Sequence, residues 1–292
     1  MPGILLHIGY RKAGSTFIRD WFNFHPQLKT GGINVNSEFC RYNYYENKPK
    51  YFVFSDAFLL FKGDTPPRTI KNLKKYQQDT CTLLKELFPA GKILLITRSP
   101  ENCITSEYSE YVKNGGIKDF DELQTNPEAM EYFIGYYDYN FAINLYCNAF
   151  GKENVIVLPL ELLEDTPDIF IKTIEHRLGL EHYDFSYNRR NPSLSANKLS
   201  ALRKISSLVY QYTRIFGKKG ELLYNRYVQY LGKESYNNNK FRLIISVMTL
   251  FKKQKKQKIK VPEELTNEMK STASVLEEYP LFKKYLIKYC LL

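Results

Sequence analysis

Eight residues near the start of the chain, Gly9-Tyr10-Arg11-Lys12-Ala13-Gly14-Ser15-Thr16, have the types and spacing to hold an anion. A short apolar run, Gly3 to Gly9, leads into them, and Phe17, Ile18, Trp21 and Phe22 follow at helical spacing. The chain therefore opens as strand, tight loop, helix. A helix N-terminus presents unpaired N–H groups and a partial positive charge. Two glycines let the backbone wrap closely around a phosphate. Ser15 and Thr16 add hydroxyl donors, and Lys12 adds a full charge. The loop is not a Walker A loop, in which Lys directly follows the second glycine. Lys12 instead stands two residues before Gly14, and the sequence offers no clear acidic partner for magnesium.

A second cluster lies about 80 residues on. Ile96-Thr97-Arg98-Ser99-Pro100 closes an apolar strand, and a helix then carries Ser106, with Tyr108 and Tyr111 close by. Arg98 and Ser106 are eight residues apart. That spacing lets a guanidinium at a strand end and a hydroxyl on the second helical turn serve one phosphate monoester. Asn188-Arg189-Arg190-Asn191-Pro192-Ser193-Leu194-Ser195 is a third basic, hydroxyl-rich loop.

The pattern G-x-x-K-x-G-[ST]-[ST] resembles the 5'-phosphosulfate loop of sulfotransferases. Arg98 with Ser106 resembles that family's 3'-phosphate site. The stretch Thr97 to Gly116, with S-E-Y-S-E-Y-V-K-N-G-G, looks much like bacterial carbohydrate-type members. The resemblance covers roughly residues 1 to 200. It implies a donor, 3'-phosphoadenosine-5'-phosphosulfate (PAPS), with no metal required. Lys12 would stabilise the leaving phosphate, and Arg11, Lys12, Ala13, Gly14, Ser15, Thr16, Arg98 and Ser106 would bind the donor. Arg189 or Arg190 would reach the 3'-phosphate or the adenine; the sequence does not choose between them. Arg11 stands where many members have Pro, and Ser15 replaces the commoner Thr. The family places a His or Glu base near the end of the strand after the first crossover. Phe54-Ser55-Asp56 occupies that place here, which makes Asp56 the candidate base. Asp56 reads equally simply as a helix N-cap. The four histidines compete poorly: His7 lies inside the first strand, and His25, His176 and His182 lie at helix ends.

These residues must be positioned by a frame. Strands are expected over 3–9, 51–55, 92–97 and 154–158. Helices are expected from Gly14 to His25, from Pro67 to Phe88, from Pro100 to Gly115, over 127–149 and over 167–178, the last capped by Gly179. Alternating strands and helices predict an α/β fold, a parallel central sheet flanked by helices. The resemblance implies the P-loop-like sulfotransferase form of it. In such sheets ligands bind at the carboxyl ends of strands. After about residue 197 only helices are expected, including 266–276 and 280–289. The expected division is a core at 1–197 and a basic helical extension at 198–292 packed on it.

The chain has 292 residues, 43% hydrophobic and 25% charged, so wholesale disorder is excluded. Its five cysteines are odd in number and widely spaced, which suits reduced thiols and a cytoplasmic setting. The start does not read as a secretory segment, and no run reaches the ~20 apolar residues a membrane span needs. The formal net charge is +11. Between Arg203 and Lys260, 15 Lys or Arg face two acids, Glu221 and Glu234, so this region holds +13 and the rest sums to −2. It suits a polyanionic acceptor or an anionic membrane surface. The loop 30–50, with Phe39, Arg41, Tyr42, Asn43, Tyr44, Tyr45 and Asn47, suits sugar rings, and the expected acceptor is a carbohydrate or glycolipid. Rival readings are a small-molecule kinase and a nucleotide or phosphate binder without catalysis. No nucleic-acid-binding signature is present.

Overall fold

The computed structural model describes residues 2–31, 45, 48–56, 70–185, 194–234 and 261–291. The side chains of Asp56, Ile70 and 232–234 lie outside that description. The chain forms two compact units. The first joins Met1–Pro100, Met130–Arg190 and Glu263–Leu292; the second joins Glu101–Ala129 and Asn191–Pro262. This division does not run at residue 197. The last thirty residues belong with the sheet, because Phe282, Tyr285 and Tyr289 are buried in it and the Tyr285 and Tyr289 hydroxyls bond Glu161.

The first unit is built on five strands: β1 Gly3–Gly9, β2 Leu28–Thr30, β3 Tyr51–Asp56, β4 Lys92–Thr97 and β5 Val155–Pro159. Their order is β2-β3-β1-β4-β5, with every pairing parallel. The expected parallel α/β sheet is therefore present. Leu5, Leu6, Ile8, Ile93 to Ile96 and Val155 to Leu158 are all buried. Continuous apolar strands of this kind need cover on both faces. Helices supply it: α1 Ser15–Phe24, α2 Ile70–Leu87, α5 Pro127–Tyr136, α6 Tyr139–Phe150, α7 Leu160–Asp165 and α8 Pro167–Leu178. On α1 the buried side chains are Ile18, Trp21 and Phe22, each worth about 1.5–3 kcal/mol of burial. Gly179 ends α8 in the left-handed region, as expected, with Leu180 N–H returning to Glu175 O.

The elements differ from expectation in four places. The helix expected over 127–149 is two helices, because the Asp138 carboxylate accepts from Phe141 N–H and starts α6 afresh. Strand β2, only three residues long, gives no periodic signal. Helix α7 was not expected; Pro159, just past the strand expected over 154–158, is both the last residue of β5 and the N-cap of α7. In place of the two closing helices expected over 266–276 and 280–289, the last segment forms α11 Glu263–Ser271, 3-10 turns at Ser274–Glu278 and Pro280–Phe282, and α12 Leu286–Tyr289.

The second unit is helical. It holds most of α3 Pro100–Lys113, with α4 Phe120–Gln124, α9 Ala196–Arg214 and α10 Gly217–Glu234. Val112, Leu199, Leu202 and Leu231 form its core, with Tyr108, Tyr111, Leu194 and Tyr227 against them.

Candidate functional site

Sheet order brings the suspected strand ends side by side. β1 lies between β3 and β4, with Ile8 opposite Asp56 and Gly9 opposite Ile96. The chain leaves β1 toward β2 and β3 and returns on the other side as β4, so the order reverses beside β1. Ligands of open α/β sheets bind at such a switch point.

The loop after β1 is shaped by its own backbone. Among the described residues, Lys12 is the one non-glycine with positive φ, at 61°. Gly14 follows with φ 78° and ψ 15°. Left-handed residues interleaved with an ordinary one turn successive N–H groups to one side, the arrangement of an anion-binding nest. Gly14 is also the N-cap of α1 and provides no side-chain cap. The helix therefore keeps its first N–H groups for a ligand. A Cβ on Gly14 would sit 2.7 Å from Leu160 Cδ1, so the cradle fits glycine sterically as well as in backbone angle. Ser15 Oγ is 3.5 Å from Tyr10 O, and Thr16 is exposed. Ala13 is buried, and Arg11 is exposed.

A set of tyrosines fixes this loop from below. Tyr10 is fully buried and packs edge-on to Tyr136 and Tyr139 and flat against Tyr137. Arg11 N–H donates to the Tyr136 hydroxyl at 3.2 Å, and the Tyr137 hydroxyl donates to Arg11 O at 3.3 Å. Burial pushes the Tyr132 phenol up, and the Arg11 charge beside it pulls the other way. Among the described residues, the buried Tyr132 hydroxyl has no hydrogen-bond partner.

The loop after β4 is fixed differently. The Tyr139 hydroxyl accepts from Arg98 N–H at 3.1 Å and donates to Arg98 O at 2.6 Å. Ser99 N–H donates to the buried Glu161 carboxylate at 3.0 Å, and Tyr289 donates to the other oxygen of that group. Thr97 Oγ1 lies 3.3 Å from the same Tyr289 hydroxyl. With its backbone held on both sides, Arg98 sends Nη1 to Lys12 O at 2.8 Å. One hydrogen bond thus joins the two suspected loops and turns the Lys12 peptide. The cradle N–H groups, a lysine and a guanidinium come together at one strand-end edge, a set of donors suited to a phosphorylated anion.

Other expected residues stand as follows. Ser106 lies on α3, in the second unit, and Arg98 in the first. Asp56 ends β3, with its side chain outside the described part. Arg189 and Arg190, and most of the 30–50 loop, lie outside the described residues. His7 is a buried residue of β1 whose Nδ1 is 2.7 Å from Ser55 Oγ, while its buried Nε2 has no partner among the described residues. Burial, with the Arg19 charge, lowers its pKa to about 3. His182 pairs with Glu175 at 2.8 Å, and His25, capping α1, lies 3.8 Å from the same carboxylate, 3.2 Å from Glu181 O, and accepts from Gln27 N–H at Nδ1. Sequence reading missed Tyr136, Tyr137, Tyr139, Glu161 and Tyr289. The run Tyr136-Tyr137-Asp138-Tyr139 and an acid two residues past a buried strand were the available signals. Among the described residues no group of acids, histidines and cysteines could hold a metal ion. No described helix is long and apolar enough to cross a membrane.

No family model matches the chain, and no curated protein matches it by sequence. Among solved structures it is similar to a sulfotransferase from Alicyclobacillus acidocaldarius, at 15% identity and a TM-score of 0.48, covering 75% of this chain and 92% of that one. It is also similar to mouse sulfotransferase SULT7A1 complexed with PAP, at 14% identity and a TM-score of 0.35, covering 85% and 89%. Likeness at this level does not decide function, which must come from the chain's own residues.

Proposed function

We propose that this protein is a sulfotransferase that moves a sulfuryl group from PAPS to a hydroxyl or amine of a carbohydrate or glycolipid. The observation that carries the reading is the 2.8 Å bond from Arg98 Nη1 to Lys12 O. It links the two loops whose residues resemble the 5'- and 3'-phosphate sites of that family. In this reading the nest at Lys12 to Thr16 holds the 5'-phosphate, and Arg98 holds the 3'-phosphate. Arg189 or Arg190 closes over the nucleotide.

Transfer breaks the bond between sulfur and the bridging oxygen of the donor. It forms a bond between sulfur and the acceptor oxygen or nitrogen. The electron pair of the broken bond leaves on the phosphate, where the Lys12 ammonium stabilises the growing charge. The acceptor proton passes to Asp56, at the neighbouring strand end. By analogy with phosphoryl transfer, position and charge stabilisation supply most of the rate. His7 is a poor rival as base because it is buried and bonded to Ser55.

The test is release of 3'-phosphoadenosine-5'-phosphate (PAP) from PAPS in the presence of a panel of oligosaccharides and glycolipids. Lys12→Ala is expected to lower turnover by about 10²–10³-fold. Asp56→Asn is expected to lower turnover with donor affinity intact. Normal turnover in Asp56→Asn would remove Asp56 as the base.

A further inference from the structure

The hairpin of α9 and α10 is packed at one end and bare at the other. Near its base Leu199, Leu202 and Leu231 are buried, Ser206 and Tyr227 share a 3.0 Å hydrogen bond, and Tyr224 bonds Gly115 O. Toward the turn the pattern inverts. Among the described residues fourteen large apolar side chains are exposed, and eight of them lie between Leu208 and Tyr230. Ile215 is 77% exposed, Tyr212 67% and Leu222 65%. Single exposed apolar residues are ordinary; a cluster of this size marks an interaction surface. Tyr212 and Phe216 meet edge-to-face at 5.6 Å, so the turn carries an exposed aromatic pair.

Charge decides what the surface fits. From Leu208 to Tyr230 the basic residues are Arg214, Lys218, Lys219 and Arg226, all exposed, against Glu221 alone. Lys218 and Lys219 lie within one helical turn of Ile215, Phe216, Leu222 and Leu223. The charges are thus interleaved with the apolar groups instead of forming a rim around them. A protein partner would have to strip water from these lysines, and protein interfaces are depleted in lysine for that reason. At a bilayer the same side chains can reach up to lipid phosphates while their neighbours enter the acyl boundary. Tyrosines also favour that boundary.

We infer that the turn of the α9–α10 hairpin is a docking surface for an anionic phospholipid membrane, with Tyr212, Ile215 and Phe216 inserted and Arg214, Lys218 and Lys219 on the headgroups. The inference is independent of the sulfuryl-transfer reading, because its test contains neither donor nor acceptor. The full chain is floated with vesicles of phosphatidylcholine containing 30 mol% phosphatidylserine, or of phosphatidylcholine alone. Each basic residue near the surface contributes about fivefold in affinity. The wild type is expected to float with the anionic vesicles, and at least about tenfold less with the neutral ones. Lys218→Glu/Lys219→Glu is expected to weaken anionic binding by about a hundredfold or more. Ile215→Asp/Phe216→Asp is expected to abolish it. All four positions are exposed, so unchanged circular dichroism and thermal midpoint serve as the fold control. No flotation of the wild type overturns the inference, as does flotation that survives both double variants. A dimer in solution that Ile215→Asp/Phe216→Asp dissolves would assign the surface to a second copy of the chain and overturn it as well.

Discussion

The loops after β1 and after β4 end on adjacent strands and meet through one hydrogen bond, yet they are specified in opposite ways. The first is local. Its shape comes from positive φ at Lys12 and Gly14 and from the glycine's lack of a Cβ. The second has no special backbone angle. It is held by Tyr139, Glu161 and Tyr289, which lie 41, 62 and about 190 residues further along the chain. A short motif can encode the first kind of loop. The second kind requires the fold to be complete before its arginine is aimed.

Glu161 should separate the two most strongly. Glu161→Ala leaves the buried Ser99 N–H and Tyr289 hydroxyl without their acceptor, at a cost of about 2–5 kcal/mol by urea unfolding. Glu161→Gln keeps an acceptor oxygen and should recover more than half of that loss. Equal losses in the two variants would mean that the carboxylate does not hold this loop. Gly14→Ala probes the other loop. The left-handed angle alone costs about 1–2 kcal/mol, and the contact with Leu160 adds to it. Adding Leu160→Ala should relieve the contact and leave the angular cost, so full recovery would argue against backbone strain as the determinant.

The smallest effect concerns the strand from which the first loop grows. Folded His7 stays neutral down to about pH 3, whereas the unfolded ring takes up a proton near pH 6.5. Above pH 6.5 neither state is protonated and the group is silent. As pH falls below 6.5 only the unfolded state gains the proton, so stability falls with pH by about 1.4 kcal/mol per unit. His7→Leu should remove that increment of slope between pH 6 and 5. An unchanged slope would show that His7 is protonated in the fold.

The same contrast explains what the sequence made legible. Apolar runs and glycine or proline breaks marked β1, β3, β4 and β5, and their alternation with helices marked the sheet as parallel, because fully buried strands leave little freedom in composition. The tight turn between β1 and α1 was legible because Gly14 marks it locally, with its own left-handed backbone angle. Arg98 was legible as a strand-end cation, but its support was not. Nothing local ties Tyr139 or Glu161 to Arg98, and Tyr289 joins them only because the last thirty residues return to the sheet. The break at Asp138 was missed because apolar periodicity runs on through it, while a single carboxylate restarts the helix.

Under the proposed function, Arg98 and the Lys12 loop form one nucleotide site. Calorimetric titration of PAP into the full chain without metal tests it most directly, with ATP plus magnesium as the control. Micromolar binding, about −8 kcal/mol, is expected, and it is lost in Arg98→Ala. No binding of PAP, with ATP and magnesium bound instead, would contradict it.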